Sequence, residues 1–129
     1  MNKHGHMNFE WKNDIFIIEV EGPFNEIGIE SLFSELKKSV EDKGVKVWRR
    51  LEIWNEDVSG SPKTMEIGQS IFDWHEKNGC VLTAIVVSNC IQEWILAKMT
   101  NRLQIFRTIE QAEDWLNTTE KNISLPTCN

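Results

Sequence analysis

Tyrosine is missing from this chain, and cysteine and proline are scarce, at three residues each in 129. The three thiols, Cys80, Cys90 and Cys128, are an odd number with neither a C-x-x-C pair nor zinc-ligand spacing, so neither a disulfide framework nor a zinc site is expected. No apolar run approaches the ~18 residues that read as a membrane span. The first six residues, Met1-Asn2-Lys3-His4-Gly5-His6, contain no apolar stretch of the secretory kind. Reduced thiols and a cytoplasmic location are the simple expectation, which leaves the Asn117-Thr118-Thr119 and Asn122-Ile123-Ser124 triplets without meaning as glycan sites. No glycine-rich phosphate loop or dinucleotide fingerprint occurs, so no cofactor is expected. Excess base is also lacking: 14 Lys and Arg against 20 Asp and Glu leave a formal charge of −6, which repels nucleic-acid backbones.

What remains is an ordinary globular composition, 40% hydrophobic and 26% charged, long enough for a single domain with its own core. Phe9 and Trp11 alternate with polar residues, Asn13-Asp14 offers a turn, and Ile15 to Val20 is a nearly continuous β-rich run, expected to be covered on both faces. Asn25 reads as the cap of a helix whose Ile29, Leu32, Phe33, Leu36 and Val40 recur at helical spacing until Gly44. Val45 to Trp54 reads as a third strand, with Leu51 and Ile53 on one side and Glu52 and Trp54 on the other. Ser61-Pro62 opens a second helix with an inner stripe of Met65, Gly68, Ile71, Phe72 and His75, closed by Asn78-Gly79. Cys80 to Val87 is an uncharged strand. Ser88 or Asn89 starts a short helix with Ile91, Trp94, Ile95 and Met99 on one side. Leu103 to Phe106 is a last strand, and Thr108 with Gln111 forms a capping box for a final helix carrying Ile109, Ala112, Trp115 and Leu116. The order ββαβαβαβα predicts an α/β fold with a mixed, mostly parallel sheet whose first strand is antiparallel. Residues 1–6 are expected to be disordered, 7–117 to form the domain and 118–129 to be a flexible tail.

This order, with Glu21-Gly22-Pro23 before the first helix, Asp57-x-Ser59-Gly60 after the third strand and the closing phrase from Ile105-Phe106-Arg107-Thr108 to Trp115-Leu116, resembles the SpoIIAA-like branch of the STAS superfamily. The resemblance covers about residues 7–117. It implies a five-stranded sheet packed with about four helices. It also implies a small, cofactor-free, non-enzymatic bacterial regulator similar to anti-sigma-factor antagonists, whose switch serine is phosphorylated at the start of the second helix. Some members of the branch have been proposed to bind apolar ligands or to associate with membranes. Against the antagonist signature Asp-Ser-Ser/Thr/Ala-Gly-Leu/Ile-Gly, the residues Asp57, Ser59 and Gly60 match. Val58 replaces the middle serine, and Ser61-Pro62 replaces the apolar–glycine pair.

Three roles fit Ser59: an ordinary loop or cap serine, a phosphorylation switch, or a nucleophile. A nucleophile needs a base within reach, and His75 is the one histidine outside the N-terminal segment, far along the second helix, where a half-buried, hydrogen-bonded role is expected. A phosphate would be tolerated near a helix N-terminus and would repel an acidic partner. Asp57, Ser59, Gly60 and Ser61, with Ser88, Asn89 and Arg107 on the same predicted rim, form a candidate surface for a protein partner, their plain alternative being capping and solvation. Adjacent Glu56 and Asp57 seldom converge on a metal, and His4 and His6 sit in the expected loose terminus, so no metal site is expected. Trp48 and Trp54 share a face of the third strand, while Trp11 and Trp115 pack in or beside the core. Trp94, Ile95 and Met99 either pack inward or form a lid over a site for a small apolar ligand or a membrane surface. The sequence leaves a homodimer open.

Overall fold

In the computed structural model, residues 4–59, 61–99 and 101–119 are described. They form β1 (His6–Lys12), β2 (Ile15–Glu21), α1 (Glu26–Lys43), β3 (Trp48–Trp54), α2 (Pro62–Asn78), β4 (Cys80–Val86), α3 (Cys90–Ala97), β5 (Gln104–Phe106) and α4 (Ile109–Thr118). One sheet runs β1-β2-β3-β4-β5, with β1 antiparallel to β2 and the remaining pairs parallel.

The strand order settles where the helices lie. Parallel strands joined in sequence need crossovers, and these are right-handed. A sheet that advances always in one direction therefore stacks α1, α2 and α3 on the same face. Ile29, Leu36 and Val40 of α1, Ile71 and Phe72 of α2 and Leu96 of α3 share one core with Phe16, Ile18, Trp48, Trp54 and Ile85. No strand follows α4 among the described residues, so it is free to cover the other face. There Ala112 and Leu116 pack on Leu51, Leu82, Ala84 and Val86.

The helix ends follow local chemistry. Asn25, Ser61, Asn89 and Thr108 each accept a backbone N–H of the first turn. Gly44, at φ 72°, adopts the left-handed cap that ends α1.

Several expectations are revised. The third strand starts at Trp48, because pairing begins where Trp48 meets Cys80, and 45–47 only lead the chain back from the Gly44 cap. Strand β2 is fully covered on one face only: Phe16, Ile18 and Val20 are buried, whereas Ile15 and Ile17 are half-covered and Glu19 is exposed, since among the described residues α4 is the sole helix on that side. Residues 4–6, expected within a disordered terminus, are placed: His6 pairs with Glu21, and His4 N–H donates to Asn25 Oδ1 at 3.1 Å. Thr118, expected in the tail, ends α4, and the rest of that segment beyond Thr119 lies outside the described residues.

Candidate functional site

The central strand β3 has no solvent face, so every side chain on it must be housed. Alternation sends Leu51 and Ile53 toward α4 and Trp48, Arg50, Glu52 and Trp54 toward the three-helix layer. Two charges are thereby buried, Arg50 at 2% exposure and Glu52 at 6%. Arg50 Nη1 stands 3.7 Å from Glu52 Oε2, and Trp54 Nε1 donates to Glu52 Oε1 at 2.8 Å. The guanidinium lies 4.4 Å from the centre of the Phe72 ring, a cation–π contact that helps a desolvated arginine. Its Nε and Nη1 make no hydrogen bond among the described residues.

His75 sits further along α2 in the same layer. It is fully buried, with ring centroids of Trp74, Trp48 and Phe16 at 5.3, 6.1 and 6.2 Å. Neither ring nitrogen has a partner among the described residues, so the expected half-buried, hydrogen-bonded histidine is replaced by one packed as an aromatic. Burial, and then the nearby Arg50 charge, hold its pKa well below the usual histidine range. Burial likewise raises the Cys80 thiol, opposed in part by Arg50.

Between the sheet and the first turns of α2 lies an apolar cavity of about 70 Å³. Ile18 and Val20 of β2, Ile29 and Leu36 of α1, and Ile71 and Phe72 of α2 wall it. Glu52 and Trp54 line it from β3, and Val58, Ser59 and Thr64 from the loop and first turn of α2. Met7, Met65 and Met99, three of the four methionines in the chain, complete the lining.

The rim is the loop after β3, and a buried glutamine holds it. Gln92 of α3 is 0% exposed; its Nε2 donates to Asn55 O at 2.7 Å and Val58 O at 3.1 Å, while its Oε1 accepts Ser88 N–H at 2.8 Å. Asn55 Oδ1 in turn accepts Gly22 N–H and Asp57 N–H at 3.2 and 3.1 Å. Gly22 permits this approach, since a Cβ there would stand 2.5 Å from Asp57 O and 2.7 Å from Val58 Cα.

The residues singled out from sequence are divided among several tasks. Ser59 is exposed and lines the cavity mouth. Asp57 is exposed beside it, and Gly60 lies outside the described residues. Ser61 Oγ caps α2 at Thr64 N–H, 3.2 Å away. Ser88 Oγ donates to Trp54 O at 2.8 Å and Asn89 caps α3, so both hold the rim in place. Arg107 does not join the Ser59 loop. Its guanidinium pairs with Glu93 at 3.0 and 3.1 Å and meets Cys90 Sγ at 3.2 Å, a pairing that lowers the Glu93 pKa and raises that of Arg107. The trio Trp94, Ile95 and Met99 is split: Ile95 and Met99 line the cavity, whereas Trp94 is 63% exposed with Lys98 Nζ 3.3 Å above its ring. Ile91, three residues earlier, shares that outer face at 67% exposure. Ser59 and His75 are not neighbours: the rings around His75 are those of the opposite end of α2, and it does not line the cavity. Among the described residues no three His, Cys, Asp or Glu side chains come together to hold a metal, and no helix is long and apolar enough to cross a membrane.

Arg50 and Gln92 escaped the sequence reading, which assigns Glu52 only its side of the third strand. The available signal was the pairing of charges with Trp48 and Trp54 at even spacing on a strand that the ββαβαβαβα order makes internal.

The sequence matches no protein family profile and no curated protein. Among solved structures it is similar to an uncharacterised protein of the DUF3478 family with a SpoIIAA-like fold from Shewanella loihica PV-4, at 18% identity and a TM-score of 0.65, over 90% of this chain and 97% of that one. The fold is SpoIIAA-like.

Proposed function

We propose that this protein is a non-catalytic binding module that takes a small apolar molecule into the space beneath α2, with the loop after β3 as its rim. The observation that carries this is the cavity itself, a half-enclosed apolar space with exposed Ser59 in its lining. At about 70 Å³ it is smaller than the ~150 Å³ that accepts a benzene ring, so its wall must yield on entry. Methionine is the side chain best suited to yielding, and three of them line the space. The test uses a short aliphatic probe, hexanol, and the protein's tryptophan emission, to which Trp54 on the cavity wall contributes. Emission from wild-type protein should change saturably, and the change should vanish in Gly68→Leu. Gly68 lines the cavity, and a Cβ there meets only Met99 Cε at 4.0 Å, so a side chain can begin at this position without a clash, and circular dichroism checks that the leucine variant is folded. An identical response in both proteins refutes the reading.

A second reading has its own support. The exposure of Ser59 near the N-terminus of α2 supports reading it as a phosphorylation switch, and the exposed apolar pair Ile91 and Trp94 on α3 supports a protein partner. A phosphate there would add nearly two negative charges to the contact. Under this reading Ser59→Asp loses partners that wild type retains in a pull-down; equal retention counts against it.

A further inference from the structure

Among the described residues Glu52 is the one charged side chain that lines the apolar cavity. A carboxylate in such a wall is costly unless its oxygens are bonded. Oε1 accepts the Trp54 indole N–H at 2.8 Å. Among the described residues Oε2 faces only Arg50 Nη1 at 3.7 Å, beyond hydrogen-bond reach. Charge and hydrogen bonding are thus satisfied unequally. Arg50, buried and stacked on Phe72, balances the charge of Glu52 from behind the wall, while Oε2 retains an open acceptor.

We propose that the occupant of this cavity is a short amphiphile with a neutral hydroxyl head, which donates its hydrogen bond to Glu52 Oε2 while its hydrocarbon body lies against Ile18, Val20 and Ile71. The proposal rests on reading the cavity as a ligand site and names the chemistry that site selects. The neutral head follows from the ion pair. An ammonium head would leave the group of three with a net positive charge in a dry wall, and a carboxylate head would meet Glu52 with like charge. A plain hydrocarbon would leave Oε2 unbonded.

The decisive comparison uses wild-type full-length protein and two isomers, hexanol and methyl pentyl ether, titrated by calorimetry alongside hexylamine and hexanoate. The isomers share every atom type and differ in the ability to donate. Hexanol should bind about tenfold more tightly than the ether, as a hydrogen bond to a charged acceptor predicts, and more tightly than either ionic probe. Equal affinity of alcohol and ether, or tighter binding of the amine or the acid, overturns the head-group assignment and leaves the cavity reading intact. Binding of none of the four overturns both.

Discussion

The two faces of the sheet are built to different ends. Under α4, Ala112 and Leu116 pack on Leu51, Leu82, Ala84 and Val86, and charge enters at the margin, where half-buried Arg49 pairs with Asp14 at 2.7 Å and donates to the Leu116 carbonyl. Under α1–α3, the Arg50–Glu52 pair is more deeply buried, and beside it lie an imidazole with no hydrogen bond among the described residues and a cavity whose lining is almost wholly apolar. Stability alone does not require a pair this deep, since replacing a buried ion pair by apolar side chains is often neutral or stabilising. The difference is one of depth: charge sits at the edge of one face and inside the other.

The largest test of that contrast is Glu52→Leu. It leaves Arg50 buried without its counter-ion, and urea denaturation should show a loss of about 3–5 kcal/mol, whereas the pair Arg50→Met with Glu52→Leu should regain most of it. If the single variant is no worse than the double, the ion pair is not what the layer accommodates. Next comes truncation on the two faces. Leu116→Ala, fully buried under α4, should cost about 2–5 kcal/mol. Met65→Ala, on the wall of a space already open, should cost about 1 kcal/mol or less. Equal losses would mean that the two layers are equally well packed. The smallest effect is a pH slope. His75 stays neutral in the fold while the unfolded chain binds a proton near the ordinary value of 6.5. Its contribution is fully present above that pH, and stability should decline by up to ~1.4 kcal/mol per pH unit below it. His75→Phe should flatten that slope, and an unchanged slope would assign it to other groups.

Much of this architecture was legible in the chain because it depends on local signals. The caps Asn25, Ser61, Asn89 and Thr108 were readable from residue type and the periodicity beside them. The position of Ser59 ahead of α2 followed from Pro62. The short helix α3 defeated the same logic. Ile91, Trp94 and Ile95 suggested one apolar stripe, yet Gln92 turned inward and Trp94 outward. The cause is non-local: Asn55 O and Val58 O required a donor, and an amide two residues into α3 could supply it. The cavity was illegible for a related reason, since residual volume is a property of how helices settle on a sheet and leaves no mark in any one segment.

The Gln92 amide has a mechanical consequence. It bridges two carbonyls of the loop after β3 while its own oxygen holds the chain at Ser88. Pulling either carbonyl away strands a donor in a dry interior. The rim and the first turn of α3 therefore travel as one lever, and force applied to the loop arrives at the exposed indole of Trp94.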